Sequence, residues 1–266
     1  MKQTVISTLI ATAICAAPLA AEMSGSRPGT YLPQVQGTFK PTEEMRPILD
    51  GLRLWVANHC DKNAEVMEVY DRLILAMGKQ GAFDDHSHLQ TIDALFVAAE
   101  AHQYQSRKSP PLTPYIVHPM GVALILWEEG CVRDPDLIAA ALLHDTVEDT
   151  DITLAEIRDR FGAAVANYVD EVTDDKSLPK AERKRLQIVH AAHISEGGKQ
   201  LKLADKLYNL RNLAARTPVE IDESGMIPWS SERVDAYFAW AKQVSAGLRG
   251  TNPALERQLD AILGIA

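Results

Sequence analysis

The sequence predicts an all-α fold, an expectation that rests on three observations. Apolar residues recur at helical spacing along most of the chain, strand-like alternation is scarce, and helix-start and helix-stop residues bound the periodic runs. The 266 residues suffice for one or two domains with a sizeable core. A hydrophobic share of 46% and a charged share of 24% exclude wholesale disorder. Lys+Arg number 27 against 36 Asp+Glu, for a net charge of −9, which speaks against a general nucleic-acid coat. A small polyanion can still be held through a metal ion and a local basic cluster. Three cysteines are too few for a disulfide framework, so Cys60 and Cys131 are expected as separate, partly buried thiols.

Residues 1–21 read as a secretory leader. Lys2 precedes a mostly apolar, small-residue run, and Pro18-Leu19-Ala20-Ala21 precedes Glu22. The run is short for a spanning helix, so no stable membrane insertion is expected. Export would place the chain in the periplasm or outside the cell; without cleavage it would stay cytoplasmic. Residues 22–47 are rich in Pro, Gly, Ser and Thr and read as a linker. Two amphipathic helices follow in an N-terminal extension, residues 48–92. Leu49, Leu52, Trp55 and Val56 mark the first, and Val66, Val69, Tyr70, Leu73, Ile74 and Met77 the second, which Gly78 and Gly81 should end.

From residue 93 to about 260 the pattern is almost continuously helical. Leu95, Ala98, Ala99 and His102 share a face. Pro119 suits a first helical turn, and Gly130 suits a left-handed stop. Thr153 and Glu156 form a capping box. Further helices are expected over 199–213 and 233–248. GxGxxG, Walker and repeat patterns are absent.

The segment most informative about chemistry is Leu142-Leu143-His144-Asp145-Thr146-Val147-Glu148-Asp149-Thr150, where titratable groups follow an apolar run. Helical spacing would set His144 above Glu148 and Asp145 above Asp149. Burial without partners would be costly, and a first-row metal bound by imidazole and carboxylate would remove that cost. The plain alternative is a helix end with solvated acids. His118 lies at a helix start, where it is either a fixed ligand or a structural histidine. Asp205 interrupts an apolar helical stripe with Asn209 four residues on; it needs a partner, either a metal or a salt bridge to Lys202 or Lys206. The run Arg183-Lys184-Arg185 reads as an exposed helix face.

Several dispersed segments, in order, resemble the HD superfamily of metal-dependent phosphohydrolases. The resemblance is strongest to the hydrolase domain of RelA/SpoT proteins, in its small stand-alone metazoan form. It is carried by Ala101-His102-Gln103-Tyr104-Gln105-Ser106-Arg107-Lys108, Thr113-Pro114-Tyr115-Ile116-Val117-His118-Pro119, the segment around His144-Asp145, Glu171-Val172-Thr173-Asp174-Asp175-Lys176, and Lys202-Leu203-Ala204-Asp205-Lys206-Leu207-Tyr208-Asn209. It implies an HD-domain helical bundle over 93–260. It also implies Mn²⁺ held by His118, His144, Asp145 and Asp205, with Glu148 and Asp149 handling the proton and the water. Arg107, Lys108, Lys176, Asn209, Arg233 and Tyr237 would bind the substrate. The implied reaction removes the 3′-pyrophosphate of guanosine tetra- or pentaphosphate, giving GDP or GTP. Tyr104 departs from the glycine frequent in the family. The alternatives are a phosphatase acting on the 2′-phosphate of NADPH or another nucleotide, and a non-catalytic nucleotide-binding protein. The expected partner is thus a small nucleotide, not a nucleic acid, and the oligomeric state stays open.

Overall fold

The computed structural model describes residues 39–60, 63–84, 88–107, 113–214 and 230–265. The leader at residues 1–21, most of the linker, and Lys108 lie outside the described residues. The described residues are all-α as expected, with a single isolated bridge between Ser106 and Pro114.

Two helices come first, α1 (Met45–His59) and α2 (Ala64–Lys79). Asn63 caps α2 by accepting from the amides of Glu65 and Val66 at 3.0 and 3.2 Å, which satisfies two otherwise unpaired donors. Leu49, Leu52 and Val56 of α1 and Val66, Val69 and Leu73 of α2 are buried at the helical spacing that predicted them. The Tyr70 hydroxyl donates to the Leu49 carbonyl at 2.9 Å and ties the two together. Helix α1 begins three residues before the periodic pattern does, and Met45 is already buried. Phe39 packs on Gly78, where a Cβ would lie 2.5 Å from the ring. Packed structure therefore begins inside the stretch read as linker.

Next come α3 (Leu89–Ala101), α4 (Val117–Glu128) and α5 (Pro135–Leu143). Asp134 accepts from the Asp136 amide at 3.0 Å, and Pro135 fills a first-turn position that has no amide to satisfy. Helix α4 is buried on every side from Val117 to Trp127, and α5 from Leu137 to Leu143. Such helices owe their stability to neighbours, not to propensity. Helix α4 lies against α2, α5 and α10 (Glu196–Ala214). Between α5 and α10 run α6 (Thr146–Asp149), α7 (Leu154–Phe161), α8 (Ala163–Val172) and α9 (Lys180–His190). Helices α11 (Ser231–Gly247) and α12 (Pro253–Leu263) close the chain against α9 and α10. The capping box of α7 forms as expected, with Thr153 and Glu156 bonding reciprocally.

Three expectations are corrected. Residues 142–150 are not one helix: the chain leaves α5 after Leu143, turns through His144 and Asp145, and restarts as the single turn α6. The left-handed stop after α4 falls on Cys131, at φ 52°, not on Gly130. Gly130 is small for a different reason. A Cβ there would lie 2.9 Å from the Leu126 carbonyl oxygen and 3.2 Å from Leu255. Of Arg183-Lys184-Arg185, only Arg185 takes the exposed place, paired with Glu182. Arg183 turns toward Glu148 and Asp174, at 3.5 and 3.8 Å. The Lys184 ammonium stands 4.7 Å from the Trp240 ring centroid.

Gly121 sets how closely α4 and α10 approach, because a Cβ there would lie 2.1 Å from the Tyr208 ring. Gly121→Ala should therefore cost about 1–3 kcal/mol by overpacking, read as a lower Tm. It should also widen the gap between His118 and Asp205 and weaken metal retention. Gly162→Ala, at φ +93° with nothing within 4 Å, should lower Tm and leave metal content alone. Equal metal retention in both variants would refute the coupling.

Candidate active site

Helices α4, α5 and α10 carry the polar groups that meet in the core. His118, in the first turn of α4, is 2% exposed, and His144, just past the end of α5, is 5% exposed. The break after Leu143 matters here. Neighbours in a continuous helix diverge by about 100°, whereas the turn lets adjacent His144 and Asp145 converge. His144 Nε2 lies 3.2 Å from Asp145 Oδ2 and 3.3 Å from His118 Nε2. His118 Nε2 lies 3.4 Å from Asp145 Oδ2 and 3.3 Å from Asp205 Oδ1 on α10.

These distances fit a shared ion. Ligand atoms about 2.0–2.2 Å from a metal and roughly 90–110° apart sit about 2.8–3.6 Å from one another. His118, His144 and Asp205 each offer an atom within 4.8 Å of the others, and Asp145 adjoins both imidazoles. The ring orientation is also suitable: His144 Nδ1–H donates to the Ala141 carbonyl at 2.8 Å, so the proton a metal would displace is the one on Nε2. The Tyr115 hydroxyl donates to Asp145 Oδ2 at 2.6 Å, and Asn209 Nδ2 donates to Asp205 Oδ1 at 2.6 Å, so both carboxylates are held from behind.

The cluster gathers charges of both signs. Burial pulls the His144 imidazole down, yet Asp145 and Asp205 outweigh it and lift its pKa to about 9. Burial would raise Asp145 and Asp205, but the imidazoles, and for Asp205 chiefly Lys206, hold both well below the carboxylate range. Lys206 Nζ sits 2.7 Å from Asp205 Oδ2, so Asp205 has a salt-bridge partner and also faces His118.

An open cavity of about 200 Å³ lies over the cluster. Glu148 and Asp149 stand at its edge on α6. Glu148 Oε2 accepts from the Asp174 amide at 3.1 Å, and burial is the main force raising its carboxyl pKa. Lys176 Nζ bonds Asp149 Oδ1 at 2.5 Å and approaches Glu148 at 3.4 Å. On the other side Arg107 donates to Asn209 Oδ1 at 3.1 Å, with its guanidinium 5.8 and 5.5 Å from the Tyr115 and Tyr208 ring centroids.

A family model described as the HD domain matches residues 94–226. Curated relatives agree. The guanosine-3′,5′-bis(diphosphate) 3′-pyrophosphohydrolase MESH1 of Xenopus tropicalis is 56% identical over 64% of this chain and 90% of its own. The Homo sapiens protein of that name is 55% identical over 64% of this chain and 90% of its own. A solved metazoan ortholog of SpoT that hydrolyses ppGpp matches with a TM-score of 0.62 and 48% identity, covering 67% of this chain and 97% of its own.

The chain belongs to the HD-domain family, as a hydrolase of the RelA/SpoT type.

The HD pair is His144-Asp145. The structure brings together His118, His144, Asp145, Asp205, Glu148, Asp149, Lys176, Arg107 and Asn209 around one cavity. Arg233 and Tyr237 are not among the residues that line it, though Tyr237 lies close enough to Lys206 and Asp205 to feel their charges. Arg233 is exposed at the start of α11, and Tyr237 packs against Trp240, ring centroids 5.2 Å apart. Several residues of the site were given no role toward metal or substrate from the sequence. Tyr115, Asp174, Gln187, Lys202 and Lys206 all line the cavity. Tyr115 stood within a matching segment, and its hydroxyl was the available signal. Gln187 Nε2 donates to Asp174 at 2.8 Å, a contact between α9 and the loop after α8 that sequence spacing does not show.

A raised His144 pKa means that without a cation the cluster holds a proton near neutrality, which a metal must displace. Metal binding at pH 7 should release about one proton, and affinity should rise with pH toward about 9. Calorimetry of the metal-free protein in buffers of different ionisation enthalpy would show this. A proton count of zero would contradict the arrangement.

Proposed function

We propose that this HD-domain protein is a Mn²⁺-dependent hydrolase of the 3′-pyrophosphate of guanosine tetra- or pentaphosphate. The observation that carries the reading is the convergence of His118, His144, Asp145 and Asp205 beneath a cavity edged by Glu148, Asp149, Lys176 and Arg107. The named activity of the relatives supports the substrate class. The mixed imidazole and carboxylate set suits a first-row metal, and the RelA/SpoT resemblance supports manganese among them.

A bound manganese ion would supply polarisation of water and charge neutralisation at the phosphoryl oxygens. Glu148 is the base: burial raises its carboxyl pKa and makes it a better proton acceptor. Asp149, engaged by Lys176, orients the water and keeps that lysine at the phosphate side. Water attacks the phosphorus joined to the ribose 3′-oxygen, the ribose oxygen–phosphorus bond breaks, and the leaving oxygen takes a proton. The products are GDP or GTP and pyrophosphate. Arg107 and Asn209 hold the nucleoside end, where the guanidinium between two tyrosine rings offers a flat cationic surface. The positive charge needed for an anionic substrate is thus local, in a chain whose net charge is −9.

The protein incubated with Mn²⁺ and guanosine tetraphosphate should yield GDP and pyrophosphate, resolved by anion exchange. Absence of turnover in folded, metal-loaded protein would overturn the reading. Glu148→Gln should lower kcat by about 10²–10⁴. Activity of the unsubstituted enzyme should fall as pH drops through the raised Glu148 pKa, since the protonated carboxyl accepts nothing, and Glu148→Gln should lose that acid limb.

The reading includes export through the leader-like residues 1–21. Fused ahead of a reporter active only outside the cytoplasm, they should direct its secretion; a reporter retained inside would refute export.

A further inference from the structure

Helix α10 presents a row of polar side chains to the cavity at one-turn intervals: Lys202, then Asp205 and Lys206, then Asn209. Most of the row is engaged. Asp205 faces His118 and accepts from Lys206 and Asn209, and Asn209 accepts from Arg107. Lys202 differs. It is 6% exposed, lines the cavity, and makes neither an ion pair nor a hydrogen bond with any described residue. Burial, and then the charge of Lys206, pull its pKa down to about 8. Asp205, Asp174 and Glu148 attract it through space, but a buried ammonium with neither an ion pair nor a hydrogen bond among the described residues is costly, and it is a ready receptor for an anion.

Its place along the helix indicates which anion. Asp205 marks the level of the His/Asp cluster, where the phosphorus under attack must lie. Asn209 and Arg107 stand one turn toward the C-terminus, at the nucleoside end. Lys202 stands about one turn, roughly 5 Å, toward the N-terminus, a distance that a second phosphate linked through one bridging oxygen can span.

We propose that Lys202 is a specificity residue that receives the terminal phosphate of a pyrophosphoryl group and makes the site prefer such groups to a single phosphate. The proposal rests on the phosphohydrolase reading above and adds the residue that recognises the second phosphate of the group removed. A nucleotide carrying one phosphate at the reacting hydroxyl fills the cluster and the nucleoside end but leaves Lys202 without a partner. A 3′-pyrophosphate fills all three levels.

The test compares the full Mn²⁺-loaded chain with Lys202→Met and Lys202→Arg. Turnover is measured on guanosine 5′-diphosphate bearing either a 3′-pyrophosphate or a 3′-monophosphate, and binding by calorimetry with inorganic pyrophosphate and orthophosphate. Lys202→Met should lower the ratio of kcat/KM values, pyrophosphate over monophosphate, by about 30- to 300-fold. It should reduce the preference for inorganic pyrophosphate by a similar factor, and Lys202→Arg should restore most of both. An unchanged ratio, or equal losses on both substrates, would overturn the proposal. If the unsubstituted protein turns over neither nucleotide, the activity reading fails by itself. The binding arm then decides on Lys202: equal preference for pyrophosphate in unsubstituted protein and in folded Lys202→Met refutes it. A Lys202→Met chain that did not fold would leave Lys202→Arg to decide, which must keep the preference.

Discussion

Two imidazoles and two carboxylates, each within 3.4 Å of an imidazole of the set, inside an apolar helical core set the terms for the rest of this molecule. Unpaired, such groups are expensive to bury. Helices α4, α5 and α10 meet there, and each surrounding feature reduces that cost or serves the same geometry. Gly121 lets α4 and α10 close. The turn after Leu143 lets two neighbouring ligands point the same way. Tyr115 and Asn209 hold the carboxylates, and Lys206 compensates Asp205. What remains is a set of imidazole and carboxylate donors suited to a first-row metal.

The core of this arrangement was legible in the sequence because it breaks the apolar pattern. His118, His144, Asp145 and Asp205 stand out where leucine or alanine would be expected, and helix existence followed from spacing and caps such as Thr153 with Glu156. What was not legible depends on contacts between distant segments. Arg183 reads as a solvated charge until α9 is seen to lean toward Glu148. Gly130 reads as a left-handed stop until Asn252, 122 residues on, bonds its carbonyl at 2.9 Å and α12 occupies the space above it. The break inside residues 142–150 left only a weak composition signal: Thr, Val and Asp are poor helix formers, but each by less than about 1 kcal/mol, and neither Gly nor Pro marks the turn. Lys202 was weighed only as a salt-bridge partner for Asp205, because a one-dimensional pattern does not separate a charge that is paired from one that is left waiting.

The loop that carries Arg107 is tied at both of its described ends. Arg107 donates its amide to the Thr113 carbonyl at 2.8 Å, and Tyr115 donates to the Gln105 carbonyl at 2.8 Å. The Thr113 hydroxyl then donates to Glu65 on α2 at 2.7 Å. Helix α2 lies ahead of the residues matched by the family model, yet it braces the segment that carries the nucleoside-facing cation. Trp127 adds a second tie, from its indole N–H to the Ala76 carbonyl at 3.1 Å, and the Arg72–Glu128 ion pair a third.

The burial of α4 on every side has a consequence for how the chain is made. An apolar helix without a polar face is hazardous on emerging from the ribosome, because it exposes a surface that aggregates before its neighbours exist. Helices α1 and α2 are synthesised first and already present the surface that α4 packs on, so α4 finds one wall waiting while α5 and α10 are still unmade. Trimming the protein to its family-matched segment would remove that template at the moment of synthesis. The loss would fall on the yield of soluble chain more heavily than on the chemistry of whatever chains folded.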